Sequence, residues 1–425
     1  LCVCLSFSRI THLNCKTSRE QPKTCCRDLV SFTLTKTISR YCKMTSVPHS
    51  HIPYGESGSG HYGNWLATQD ADNIAIVKDQ IFKAVDSIPV WSGTNGNRLF
   101  TMGDYGTADG SVTIPLIREL ITTIRKKHGE VPIQIVYEDQ PSNDFNSVFK
   151  RIHGLIPDPP TYLNDFKNVF VFASGASFYH QILPDNTGDL IMSFIAAHWM
   201  SEAPTTFNDS FHRFPNANEA ERKLVAAQAA KDWESFLLLR AKEMKSGGVL
   251  IVSTPSEDPE MKQKGVRACN QGTEEGMLNM WRRMRDEGKI TDEEFVNTNF
   301  NRCQRYLEEY KAPFEDQSSA VYKAGLRLIS AQQVLSACVA QKKWQEKLEK
   351  EGVDDRKTWA KAVINQHRCW SNSSFIRGLS DKRSESEKEA LVDEMYSRLE
   401  AEVATQDPKV FKNWYLLGYV FAQKV

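Results

Sequence analysis

The run Leu99-Phe100-Thr101-Met102-Gly103-Asp104-Tyr105-Gly106-Thr107-Ala108-Asp109-Gly110 constrains the fold more than any other part of the chain. An apolar stretch ends in an acid, two glycines sit four apart, and an amphipathic segment follows over residues 111–127. This is the pattern of a buried strand, a tight turn and a helix start. Gly106 and Gly110 let the backbone pass close to a ligand, because no Cβ stands in the way. A helix N-terminus adds unpaired N–H groups and a partial positive charge. Asp104, at the strand's carboxyl end, then faces the crevice in which open α/β sheets hold ligands. These residues leave two readings open: a cradle for a nucleotide-type ligand, or a plain structural turn.

Strand and helix patterns alternate from there. Residues 99–103, 133–137, 169–173, 190–194 and 249–253 read as strands. Residues 113–127, 143–151 with Asn143 as cap, and 218–246 up to Gly247-Gly248 read as helices. Upstream, residues 65–85 read as one helix, with Ile74, Val77, Ile81 and Val85 at helical spacing. Strands separated by helices predict βαβ units, hence a mostly parallel, doubly wound, Rossmann-like α/β sheet. Residues 44–255 are expected to form this domain. Residues 256–405 are charged and read as helices, a helical cap over the sheet's carboxyl edge, and residues 406–425 as a C-terminal strand returning to the sheet. Residues 1–43 start with Leu and lack periodicity, and are expected to be a disordered or leader segment.

The 425 residues carry 53 Lys plus Arg against 53 Asp plus Glu, a balance that favours neither nucleic acid nor an anionic membrane surface as partner. Six of the ten cysteines fall before residue 43, and Cys269, Cys303, Cys338 and Cys369 form no CxxC pair. That is neither a metal framework nor a disulfide scaffold, and it suits a reducing, cytoplasmic setting.

Three further constellations follow strand ends. Asp139 closes the second strand, where a carboxylate accepts hydrogen bonds from ribose hydroxyls or simply faces solvent or caps a helix. Ser177-Phe178-Tyr179 follows the third; Phe178 either stacks on a base or fills the core. His198-Trp199 follows the fourth, as a structural pair or as the wall of an anion pocket.

Taken together, these runs resemble the plant-type SABATH methyltransferases. That family uses S-adenosylmethionine to methylate carboxylic acids such as salicylate, benzoate, jasmonate and indole-acetate, and one branch methylates xanthine ring nitrogens. The likeness spans roughly residue 54 to the C-terminus, with its pieces in the family's order. It rests on His61-Tyr62 with Gln69, Asp104-Tyr105-Gly106 with Gly110, Glu138-Asp139-Gln140-Pro141-Ser142-Asn143-Asp144-Phe145-Asn146, Ser177-Phe178-Tyr179, and His198-Trp199-Met200-Ser201. Phe236-Leu237 with Arg240 and Glu243, and Gly288-Lys289-Ile290-Thr291-Asp292 with Phe300-Asn301, extend it.

The resemblance implies roles. Asp104 and the backbone at Gly106 would hold the methionyl end of S-adenosylmethionine, Asp139 its ribose, and Ser177 and Phe178 the adenine, with Tyr62, Gly110 and Gln140 also among the cofactor-binding residues. Gln69 and Trp199 would clamp the acceptor carboxylate, with His198 beside them. A homodimer is implied as well. The chain departs from the pattern at Val112, Gln140 and Ile195. Some members bind Mg²⁺ near the cap, and Asn208, Phe300 and Asn301 would match, but Thr298 stands in place of the usual Asp, so no metal is expected. The reading is methyl transfer to a small carboxylic acid; N-methylation of a heterocycle and a silent, cofactor-binding homologue are its competitors.

Overall fold

The computed structural model describes residues 52–90, 99–205, 207, 209, 211, 218–263, 271–411 and 413–425. Its strands are β1 Phe100–Tyr105, β2 Ile133–Asp139, β3 Val169–Gly175, β4 Gly188–Phe194, β5 Met244–Glu257, β6 Arg305–Tyr306, β7 Leu326–Ala337 and β8 Trp414–Lys424. They join in one sheet of order β3-β2-β1-β4-β5-β8-β7, with β6 on β5. The pairs from β3 across to β5 are parallel, and β8 is antiparallel to both β5 and β7. The chain therefore runs outward from β1 to β3 and returns on the other side of β1 as β4. The crevice at that reversal, at the carboxyl ends of β1 and β4, is where such sheets take ligands.

The helices of six or more residues are α1 His61–Ala75, α2 Lys78–Asp86, α3 Ile114–His128, α4 Phe145–Ile152, α5 Glu219–Glu243, α6 Gln271–Asp286, α7 Asp292–Asn297, α8 Leu307–Glu315, α9 Val339–Glu351, α10 Arg356–Gly378 and α11 Glu385–Val403. They cover both faces of the sheet, as parallel strands require. Along β2, Ile133, Ile135 and Tyr137 belong to one apolar cluster, with α1 to α3, whereas Val136 belongs to a second, with Trp233, Phe236 and Leu237 of α5 and Tyr310 of α8. Side chains alternate between faces at a period of two, so one strand feeds both cores. The expected doubly wound, mostly parallel sheet is present.

Three local expectations need correction. The single helix over 65–85 is two helices, α1 and α2, which break at Ile76-Val77. Ile74, Val77, Ile81 and Val85 are all buried across the break. The cap of α4 is Asp144, whose carboxylate accepts from Ser147 N, while Asn143 donates its amide to Ala108 O at 2.7 Å. The 256–405 stretch is not wholly helical: β7 lies within it, at the edge of the sheet. Five of the remaining helices there, α6, α7 and α9 to α11, supply the large apolar groups Trp281, Phe295, Trp344, Trp359 and Met395 of the first cluster.

Candidate functional site

The turn after β1 is fastened from below and from the side. Asp104 Oδ2 accepts from Thr107 Oγ1 at 2.8 Å and Thr113 Oγ1 at 2.6 Å. Gly106 N and Thr107 N donate to Glu138 O at the end of β2, at 2.8 and 3.0 Å. Ala108 N donates to Asp139 Oδ2 at 2.8 Å, and Gln140 N to Asp139 Oδ1 at 2.7 Å. Gly106 has φ +76°, and a Cβ there would meet the Ala196 Cβ at 2.2 Å. Here the glycine is obligatory, on grounds of both conformation and space. Two neighbours store strain: Ala108 at φ 51° and the β-branched Ile195 at φ 54° are left-handed without being glycine.

An ion pair joins this turn to the start of α1. Arg151 Nη2 lies 2.9 Å from Asp109 Oδ2, both side chains 2% exposed. Asp109 Oδ2 also accepts from Gly63 N at 2.9 Å, and Arg151 donates to Gly60 O at 2.9 Å. A second buried pair, Arg240 and Glu243 at 2.7 Å, sets the segment after β3. Arg240 donates to Phe178 O at 3.0 Å and His180 O at 2.9 Å, and Glu243 accepts from Ile182 N at 2.6 Å and Tyr105 Oη at 2.9 Å. The aromatic ring of Phe178 is thereby oriented, edge-on to Phe236 at 5.6 Å.

These segments enclose a hollow at the switch point of the sheet. One end is made by Gly106 and Ala108, Asp139 and Gln140, and Phe178. The other is made by His198 and Trp199, Arg302, and Trp370 of α10. Tyr62, Leu66 and Asp70 of α1 and Phe194 to Ala196 also line it. Of the residues singled out in the sequence, Tyr62, Gly106, Asp139, Gln140, Phe178, His198 and Trp199 thus share one space.

Four others do not reach it. Gln69 is fully buried, with its amide donating to Asn73 Oδ1 and Ala337 O at 3.2 Å and accepting from Val339 N at 2.7 Å. It staples α1 to the junction of β7 and α9 and is not among the residues lining the hollow. Asp104 lies beneath the turn, 2% exposed, and shapes the wall without lining it. Gly110 has φ +75° and closes the turn through its N–H to Thr107 O at 2.9 Å. Ser177 Oγ accepts from Tyr179 N at 3.3 Å, a local turn contact.

The metal candidates fare no differently. Asn208 falls outside the described residues. Phe300 packs its ring 4.7 Å from Phe211 and 5.4 Å from Trp370. Asn301 is tied to Met200 through both its side-chain amide and its backbone oxygen. Thr298 accepts from the Trp281 indole at 3.0 Å and donates to Glu294 O at 2.9 Å. Among the described residues no group of three or more His, Cys, Asp or Glu side chains converges.

Burial governs the acids. It pushes Asp139 and Asp104 each up to about 6 and Asp70 up to about 7, against the pull of their hydrogen-bond donors. Glu138 is raised well above the usual range for the same reason. Asp70 and Arg302 were missed in the sequence. Asp70 follows Gln69 by one position, and Arg302 is a charge set in the otherwise uncharged run Phe300-Asn301-Arg302-Cys303.

The family profile described as SAM dependent carboxyl methyltransferase matches residues 59–414. The chain belongs to that family. A relative, gibberellic acid methyltransferase 2 of Arabidopsis thaliana, is 27% identical over 287 residues, 62% of this chain and 71% of its own length. A probable S-adenosylmethionine-dependent methyltransferase of the same plant is 30% identical over 170 residues, 36% of this chain; the match spans 45% of that relative's length. Loganic acid methyltransferase, solved with SAH, superposes with a TM-score of 0.63 at 16% identity, covering 88% of this chain and 98% of the other. The fold of this family member is accordingly that of a methyltransferase sheet.

Its donor end fits an adenosyl cofactor. Gln140 Oε1 is buried without a hydrogen-bond partner, and Gly106 brings bare backbone to the same wall. Asp139 is an acceptor fixed beside them, as ribose hydroxyls need.

Proposed function

We propose that this protein transfers the methyl group of S-adenosylmethionine to a carboxylate oxygen of a small, partly apolar organic acid, giving a methyl ester. One observation carries the reading. A single hollow is lined by the acceptors Asp139 and Gln140 and also by Trp199, His198 and the cation of Arg302. The first suits a ribose, the second an anion. When bound, the cofactor supplies an electrophilic methyl on a sulfonium, and the C–S electron pair leaves with sulfur as the O–C bond forms.

The chain's own residues then have little chemistry to do. A carboxylate is already ionised near neutral pH, so no base is required. Tyr62, Asp139 and Phe178 hold the donor end, Trp199 and His198 flank the acceptor, and the aromatic walls exclude water. Fixing the two partners in line is worth up to about 7–11 kcal/mol in well-oriented systems. A dry pocket also removes part of the anion's hydration.

No helix among the described residues is long and apolar enough to cross a membrane. Cys303, Cys338 and Cys369 are free thiols, which supports a reducing, cytoplasmic setting. A homodimer belongs to the same reading and is read out by sedimentation. The deciding experiment incubates the protein with S-adenosylmethionine and a panel of carboxylic acids and detects methyl esters by mass spectrometry. Methylated xanthines without any ester would overturn the reading, as would tight SAH binding with no turnover.

A further inference from the structure

The acceptor end of the hollow contains one strong cation, and it comes from a residue that none of the sequence motifs assigns. We propose that Arg302 binds the carboxylate of the acceptor, the role that the resemblance assigns to Gln69, and sets a preference for anionic acceptors. The inference rests on the carboxyl methyltransferase reading above.

Position is the first support. The backbone of Arg302 forms an antiparallel bridge with Trp199, so both side chains enter the hollow from neighbouring strands of chain. Among the described residues lining it, Arg302 is the sole Lys or Arg, whereas Asp70 and Asp139 are both acids. Without Arg302, an anionic acceptor would meet two acids and, among the lining groups, only His198 as a side chain able to carry positive charge.

Rigidity is the second. Arg302 Nη2 lies 2.7 Å from Glu274 Oε1, with the side chains 10% and 0% exposed. Its guanidinium sits 4.6 Å from the Trp370 ring centre and 5.4 Å from that of Phe300. The pair with Glu274 compensates the buried charge when no acid is bound, and the rings fix the guanidinium plane.

Valence is the third. A guanidinium has five N–H donors in a planar fork. With Nη2 beside Glu274, the other nitrogens of the fork keep N–H donors for the acceptor carboxylate. Each carboxylate oxygen carries two lone pairs, so an oxygen that accepts a hydrogen bond still has one for attack.

The test uses the full chain, a panel of small carboxylates including benzoate and indole-3-acetate, and their primary amides. Ester formation is read by mass spectrometry, and acid and SAH binding by calorimetry. Removing Arg302 alone strands a buried glutamate, so the main variant is the neutral pair R302Q/E274Q, with R302K as the charge-retaining control. The expected result is acids bound in preference to amides, an acid Kd and KM raised at least about 30-fold in R302Q/E274Q, partial recovery in R302K, and SAH affinity within about twofold of wild type throughout. Acid affinity within threefold of wild type in R302Q/E274Q, with SAH binding intact, overturns the assignment, as does equal affinity for acids and amides. If no acid is methylated, the carboxyl methyl transfer reading falls by itself. Calorimetry then decides Arg302: acid binding lost in the neutral pair sustains it, and no acid binding to wild type overturns it.

Discussion

Gln69 Oε1 accepts a hydrogen bond from Val339 N at 2.7 Å, across a sequence separation of 270 residues. The same amide donates to Ala337 O, so one side chain satisfies the backbone on both sides of the β7–α9 junction. Replacement by Leu leaves the buried Val339 N–H unpaired, a loss of about 1–3 kcal/mol, and removes the bond to the partly exposed Ala337 carbonyl. Gln69→Leu is expected to lower the urea midpoint markedly while leaving the KM for an acid within about threefold. A large KM effect on a normally stable variant would return Gln69 to the acceptor site.

Gly106 is constrained twice, and the two constraints separate experimentally. Gly106→Ala forces a Cβ to 2.2 Å from Ala196 Cβ and keeps φ at +76°. Stability should fall by about 1–3 kcal/mol, with SAH binding weakened as the turn shifts. Adding Ala196→Gly removes the clash but not the backbone strain, so denaturation of the double variant should show partial, not full, recovery.

Asp104 gives stability a pH dependence of definite sign. Its carboxyl titrates near 6 in the folded protein and near its ordinary 3.8 in the unfolded chain. Between those values the folded state holds a proton that the unfolded state has released. Stability from this group is therefore fullest below about pH 4, falls by up to about 1.4 kcal/mol per pH unit as pH rises to about 6, and is level above. Urea unfolding of wild type and Asp104→Asn at pH 4.5 and 7 checks it. The wild type should compare better with the variant at the lower pH, and a difference independent of pH would refute the assignment.

Arg240 and Glu243 act on the cofactor end through the main chain of 178–182. Glu243→Gln leaves the buried Arg240 without its counter-charge, and a cost of about 3–5 kcal/mol is expected. With Phe178 loosened, SAH affinity measured by calorimetry should drop more than tenfold in whatever fraction remains folded.

Trp199, at the opposite end, should behave in the reverse manner. Trp199→Phe retains much of the ring packing against Trp370 at 6.5 Å. The KM for the acid should rise about tenfold, and SAH affinity should stay within twofold.

The sheet was legible because β1, β2 and β4 are buried on both faces and read as dense apolar runs. β7 was not. Leu326–Ala337 is an edge strand with most of its side chains partly or fully exposed, so its sequence carries little apolar periodicity and its place is set by backbone pairing with β8. At the site, residues that follow strand ends were legible, since topology alone delivers them to the switch point. Gln69 was misplaced by phase. On a helix advancing about 100° per residue, Tyr62 and Gln69 nearly coincide, while Leu66 and Asp70 turn the other way. The hollow takes the side of Leu66 and Asp70, and Gln69 falls just past its rim. Arg302 had no spacing rule to reveal it, because a bridge between distant loops places it.

β8 lies between β5 and β7, and three helices, α9 to α11, separate it in sequence from β7. Those helices form a closed excursion whose two ends are zipped together by the register running from Leu326 opposite Lys424 to Ala337 opposite Trp414. A protease that nicks the exposed link at Gly352–Asp354 would therefore not release a fragment. The two pieces would stay married through the sheet, and separately produced halves cut there should reassemble on mixing.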